Sequence, residues 1–165
     1  MQNVTLSLLS ISDKIPLQRL ANNINIAKNL RTGFPHPYTL DDAANFISKN
    51  QSDNNKAVVR AMKYNNEFAG IIGLHNIKDG RAELGYWLGE LYWGKGITTK
   101  AVNTMLNKAI NQFKLQQVYA YCLVNNVGSE KVLLNCGFIK LKEVDEGCNS
   151  FQKGVKSYYF EYDCS

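Results

Sequence analysis

The stretch from Ala82 to Phe113 limits what this chain can fold into more than any other. Ala82, Leu84, Tyr86 and Leu88 alternate with Glu83, Gly85 and Trp87, which is the period of a strand. Tyr92-Trp93-Gly94-Lys95-Gly96 breaks the alternation. Ile97, Ala101, Val102, Met105, Leu106, Ala109, Ile110 and Phe113 then recur at helical spacing. A helix that starts from a glycine turn has first backbone N–H groups with no intrahelical acceptor. With the positive end of the helix dipole, those groups make a seat for phosphate. The stretch predicts a phosphate-bearing ligand with its charge at residues 94–99.

The rest of the chain is organised around that unit. At 165 residues it is expected to form one domain, 1–165, with its own core. Val4 to Ser10 reads as a strand and Ile15 to Asn22 as a helix. Phe34-Pro35-His36-Pro37-Tyr38 forbids a helix, and Thr39-Leu40-Asp41-Asp42 is a capping box that opens one. Lys56 to Tyr64 and Glu67 to His75 are strands joined by an Asn65-Asn66 turn. Lys78-Asp79-Gly80 turns into the Ala82 strand. After the long helix come a strand from Gln117 to Val124 and a short helix from Ser129 to Cys136. An antiparallel pair, Phe138 to Val144 and Lys156 to Tyr162, closes the chain. The order β-α-α-β-β-β-α-β-α-β-β implies a mixed sheet covered by helices, an α/β (α+β) architecture.

Composition narrows the functional classes. Apolar residues make up 45% and charged residues 20%, as in ordinary globular proteins. No apolar run reaches spanning length and no secretory leader is visible, so no membrane partner is expected. Cys122, Cys136, Cys148 and Cys164 form no C-x-x-C pair; they read as reduced thiols of a cytoplasmic protein, with no metal site. The net charge of +5 suits a polyanionic ligand or an acidic partner. The nineteen basic residues are scattered, so they read as solvated surface and no nucleic acid is expected as partner.

Three phosphate-binding templates compete for the turn. Gly89 to Lys95 nearly spells a P-loop, but Gly96 stands where Ser or Thr would ligate magnesium. A dinucleotide fingerprint needs glycine at 99, which is Thr99. Trp93-Gly94-Lys95-Gly96-Ile97-Thr98 resembles the coenzyme A-binding motif Q/R-x-x-G-x-G/A of GNAT-fold N-acetyltransferases, although only Gly96 matches it strictly. The Tyr-Trp-Gly-x-Gly form is similar to the RimJ/RimL-like branch. So are Leu30-Arg31, Phe34-Pro35-x-Pro37-Tyr38, Asp42-Ala43, Asn126-x-x-Ser129 and Gly137-Phe138, and the element order resembles the GNAT fold over nearly the whole chain.

The resemblance implies acetyl-CoA as cofactor and a primary amine as acceptor, either a protein N-terminus, such as a ribosomal protein's, or a small molecule. Direct transfer in a ternary complex by a monomer or homodimer is implied. It implies that Gly94, Lys95, Gly96, Ile97, Thr98 and Thr99 hold the pyrophosphate, beside Trp93 and Asn126. Pantetheine is expected in a gap between splayed strands, against Trp87, Leu88, Gly89 and the end of the Gln117 strand. Glu83 is the implied general base, or else a paired strand carboxylate. Ser129 is the implied general acid, or else only a helix-start residue like Asn126. The tyrosine many members place four residues before the glycine is here Leu133. Phe34, His36 and Tyr38 are expected on the acceptor side, with His36 alternatively a turn residue. His75 reads as a strand cap, Tyr86 and Trp87 as core or pocket wall, and Glu90 as surface. An acyl-CoA-binding sensor without turnover is the alternative function.

Overall fold

A computed structural model describes residues 2–145 and 151–165. Cys148 lies outside the described residues. The chain runs β1 (Val4–Ser7), α1 (Lys14–Ala21), α2 (Ile24–Ala27), α3 (Leu40–Asn50), β2 (Val58–Tyr64), β3 (Glu67–Lys78) and β4 (Arg81–Leu88). It continues with α4 (Ile97–Asn111), β5 (Gln117–Leu123), α5 (Val127–Asn135), β6 (Ile139–Val144) and β7 (Ser157–Asp163). The mixed sheet expected from the element order is present. Its strand order is β1-β2-β3-β4-β5-β7-β6. Every neighbouring pair is antiparallel except β4 and β5.

Local chemistry explains most boundaries. Asn65 (φ +49°) and Asn66 (φ +69°) are both left-handed, the backbone of a tight hairpin between β2 and β3. Thr39 Oγ1 accepts from Asp42 N and Asp42 Oδ2 accepts from Thr39 N, the reciprocal capping box that opens α3. The short α2, missed in the sequence, is capped by the Asn23 side chain. β3 outruns its expected end at His75 because a bulge, with Asn76 at φ +53°, lets pairing resume at Lys78.

The core lies between the sheet and its helices. α4 buries Ile97, Ala101, Val102, Met105, Leu106 and Ala109, and Val118, Ala120 and Cys122 are the buried residues of the alternating β5 pattern. Leu133 is fully buried. α1 contributes Leu17, Leu20 and Ala21, and α3 contributes Ala43 and Ile47. Burying each large side chain contributes roughly 1.5–3 kcal/mol.

Candidate functional site

The parallel ladder between β4 and β5 stops early. It pairs Arg81 with Gln117, Ala82 with Val118 and Glu83 with Tyr119, and goes no further. β4 keeps its pairing with β3 as far as Leu88, and β5 keeps its pairing with β7 as far as Leu123. The facing edges beyond Glu83 and Tyr119 therefore diverge. A cavity of about 1420 Å³ occupies this region, lined by residues from both strands, the α4 turn, α5 and the loop before α3.

At one end stands the glycine turn. Gly94 (φ +78°) and Gly96 (φ +73°) are left-handed, the conformation that favours glycine, and a Cβ on either would meet no atom within 4 Å. Gly96 caps α4 without any side-chain hydrogen bond, so the first N–H groups of that fifteen-residue helix are not claimed by a side-chain cap. Trp93, Gly94, Gly96, Ile97, Thr98 and Thr99 all line the cavity. Trp93 Nε1 donates to the Leu88 carbonyl at 2.8 Å, which ties the turn to the end of β4.

Three residues at this end are held by contacts within the protein. Gly89 does not line the cavity: its N–H donates to Ala69 O at 2.8 Å, and a Cβ there would sit 2.9 Å from Leu20 Cδ2. Its smallness admits α1, not a ligand. The Leu88 carbonyl is taken by Trp93, although Leu88 and Trp87 do line the cavity. The Lys95 side chain turns away, with its ammonium over the rings of Tyr64 and Tyr92 at 5.5 and 5.9 Å.

Midway along the cavity Tyr86 Oη lies 2.7 Å from Ser129 Oγ. Tyr86 is on β4 and Ser129 is in the first turn of α5, which Asn126 caps by accepting from Ser129 N at 3.3 Å. Burial raises the phenol pKa, so it stays protonated. The sequence read Tyr86 as core or pocket wall; alternation could not show what it would touch. Cys122 also lines the cavity, and burial pushes its thiol up to about 11. As a thiol it is a poor nucleophile. Cys122, Cys136 and Cys164 are all free.

At the far end is a charged and aromatic cluster. Arg31 Nη2 lies 2.5 Å from Glu83 Oε2, and Asn76 Nδ2 donates to Oε1 at 3.2 Å. The Arg31 guanidinium also sits 4.9 Å from the centre of the Tyr121 ring. Phe34 packs on Tyr38 at 5.3 Å and edge-on to Trp87 at 6.4 Å, and Phe34 and Tyr38 both line the cavity. His36 does not: its exposed ring packs on Phe151 at 5.7 Å. His75 is not a strand cap but an interior residue of β3, directly across from Glu83 and lining the cavity. Glu90 lies outside, bonded to Asn23 and Asn25.

Comparison with known proteins follows the same geometry. Residues 3–139 match the family described as the acetyltransferase (GNAT) domain. The chain is 33% identical to the ribosomal-protein-serine acetyltransferase of Escherichia coli over 84 residues, 50% of this chain and 44% of that one. It spans about half the length of the curated relatives it matches. Among solved structures it superposes on the microcin C7 self-immunity acetyltransferase MccE, in complex with acetyl-CoA and AMP, with TM-score 0.85 and 26% identity, over 97% of this chain and 92% of that one. It superposes on the spermidine N-acetyltransferase of Vibrio cholerae, in complex with CoA and spermine, with TM-score 0.82, over 97% of this chain and 95% of that one. At 21% identity that second likeness is one of fold.

Proposed function

The chain belongs to the GNAT acetyltransferase family, and from that premise we propose that it is an acetyl-CoA-dependent N-acetyltransferase whose acceptor is a primary amine. One observation carries the reading. A single cavity is lined by the uncapped glycine turn before α4, by the Ser129 hydroxyl and by the Glu83 cluster. Those are a phosphate seat, a proton donor and an acceptor site in one continuous space. E. coli's ribosomal-protein-serine acetyltransferase and the Vibrio spermidine enzyme suggest protein N-termini and polyamines as the acceptor classes. Free thiols suit the cytoplasm, where we place the reaction.

The residues fit coenzyme A. Backbone N–H groups of residues 94–99 hold the pyrophosphate, with Thr98 and Thr99 beside them. The unpaired edges of β4 and β5 offer backbone partners to an arm that carries amides. Acetyl-CoA supplies a thioester whose thiolate leaves as the amide bond forms. Ser129 gives that sulfur its proton. Tyr86, protonated and 2.7 Å away, shares a hydrogen bond with Ser129 Oγ. Glu83 offers the acceptor a negative charge within an aromatic wall of Phe34, Tyr38 and Trp87. Direct transfer suits a site whose cavity cysteine is held as a thiol.

The test is release of free thiol from acetyl-CoA in the presence of spermidine or of a serine-initiated peptide. Amine-dependent release, with the acetyl group on the amine nitrogen, is expected. Tight coenzyme A binding without release from either amine would make the protein an acyl-CoA sensor instead.

A further inference from the structure

One titratable group in the cavity has no task in the reading above. His75 is half-buried on β3, across from Glu83 on β4. Two glycines make its seat. Gly73 and Gly85 are themselves cross-strand partners, and the imidazole lies over both. A Cβ on Gly73 would come within 2.7 Å of His75 Nε2, and one on Gly85 within 3.6 Å of Cδ2. A larger residue at position 73 would push the ring out.

Of the cavity groups able to take a proton, Asp42 is engaged in the α3 capping box, and Glu83 and His75 differ from each other. Both Glu83 oxygens are occupied, Oε2 by Arg31 and Oε1 by Arg31 and Asn76. Among the described residues, neither ring nitrogen of His75 hydrogen-bonds to a protein group. The charged groups acting on the ring are Glu83 from β4 and Arg31 from the loop before α3. Burial lowers the imidazole pKa, Glu83 raises it and Arg31 lowers it, for a net downward shift. A neutral ring with a free nitrogen, open to the acceptor end, is a ready proton acceptor near neutral pH.

We infer that, on the function proposed above, His75 accepts the proton of the incoming ammonium, directly or through one water, with the Arg31–Glu83 pair holding the opposite wall. The ammonium N–H bond breaks, its electron pair stays on nitrogen, and the ring becomes imidazolium beside Glu83. The free amine then attacks. As the C–S bond breaks, the new amide nitrogen releases its second proton to solvent, and Ser129, having delivered its own proton to sulfur, takes one back from solvent. His75 returns its proton to solvent.

The experiment is the pH profile of kcat/KM for wild type and three variants, with coenzyme A affinity measured by calorimetry. The acceptor is spermidine or a serine-initiated peptide, whichever the wild type turns over. The wild-type profile should fall on the acid side through a group below the usual imidazole value of about 6.5. His75→Gln should lose roughly a hundredfold or more at neutral pH, lose that acid limb, and bind coenzyme A within about twofold of wild type. Glu83→Gln removes the charge that supports the imidazolium, so the limb should move to lower pH. Arg31→Met removes the opposing cation, so it should move to higher pH. These opposite shifts leave His75 untouched, and a merely structural role would produce neither. A limb that survives in His75→Gln, or that vanishes in Glu83→Gln while His75→Gln stays near wild type, overturns the inference. Turnover of neither amine by the wild type removes the reading beneath it.

Discussion

The hydroxyl of Tyr86, on β4, lies 2.7 Å from the hydroxyl of Ser129, at the start of α5, and links the two elements that flank the centre of the cavity. On the proposed function this pair is the proton donor, and position 133, where the family resemblance would put a tyrosine, is leucine. Ser129→Ala should slow the chemical step roughly ten- to a hundredfold with little change in coenzyme A affinity. Tyr86→Phe keeps the ring and should cost about tenfold or less. If the two act as one unit, the double variant is no slower than Ser129→Ala alone. Single-turnover rates test this, and fully additive losses would separate the two residues.

Gly96→Glu should reduce coenzyme A affinity at least tenfold, about 1.4 kcal/mol. No atom lies within 4 Å of a Cβ there, so the variant is not crowded. It carries a carboxylate into the proposed phosphate seat and strains a backbone at φ +73°. Gly96→Asn separates the two effects, because asparagine tolerates the left-handed region and adds no charge. Calorimetry should find it near wild type.

Trp93→Phe removes the indole N–H that donates to the Leu88 carbonyl while keeping an aromatic ring. The turn loses its tie to β4. Coenzyme A affinity should fall about fivefold, the equivalent of one ordinary hydrogen bond of about 1 kcal/mol. Equal affinity would show that the glycine turn holds its shape without the tryptophan.

Away from the cavity, the Arg60 guanidinium holds Asp53 through two bonds of 2.6 and 2.8 Å. The Arg60 hydrogen bond keeps the Asp53 carboxyl pKa below its ordinary value. A depressed acid pKa contributes stability that is complete above the unfolded value of about 3.9 and is lost as pH falls through the lower folded value. Arg60→Met should therefore destabilise the protein by about 1–2 kcal/mol at neutral pH, with the partly exposed carboxylate discounted for solvent. Urea unfolding of the two proteins should converge only as the pH falls from about 4 through that lower folded value.

The sequence alone determined the features that depend on neighbours along the chain. Alternation located β4 and β5, helical spacing located α4, and side-chain chemistry placed the capping box at Thr39 and the Asn65-Asn66 hairpin. Because an uncapped helix start is a local feature, the glycine turn before α4 was legible too. What tertiary structure decided was which groups meet across strands and between elements. Nothing near β6 and β7 in the sequence says that β7 inserts between β5 and β6, since strand order is settled by burial of whole faces. Packing against Leu20 fixes Gly89, and attraction to the Tyr64 and Tyr92 rings sets the Lys95 side chain; motif position encodes neither contact. His75 became a cavity residue because a bulge carried β3 past it and the Gly73–Gly85 pair opened space for its ring. Arg31 met Glu83 across fifty-two residues of chain, a contact that no periodicity encodes.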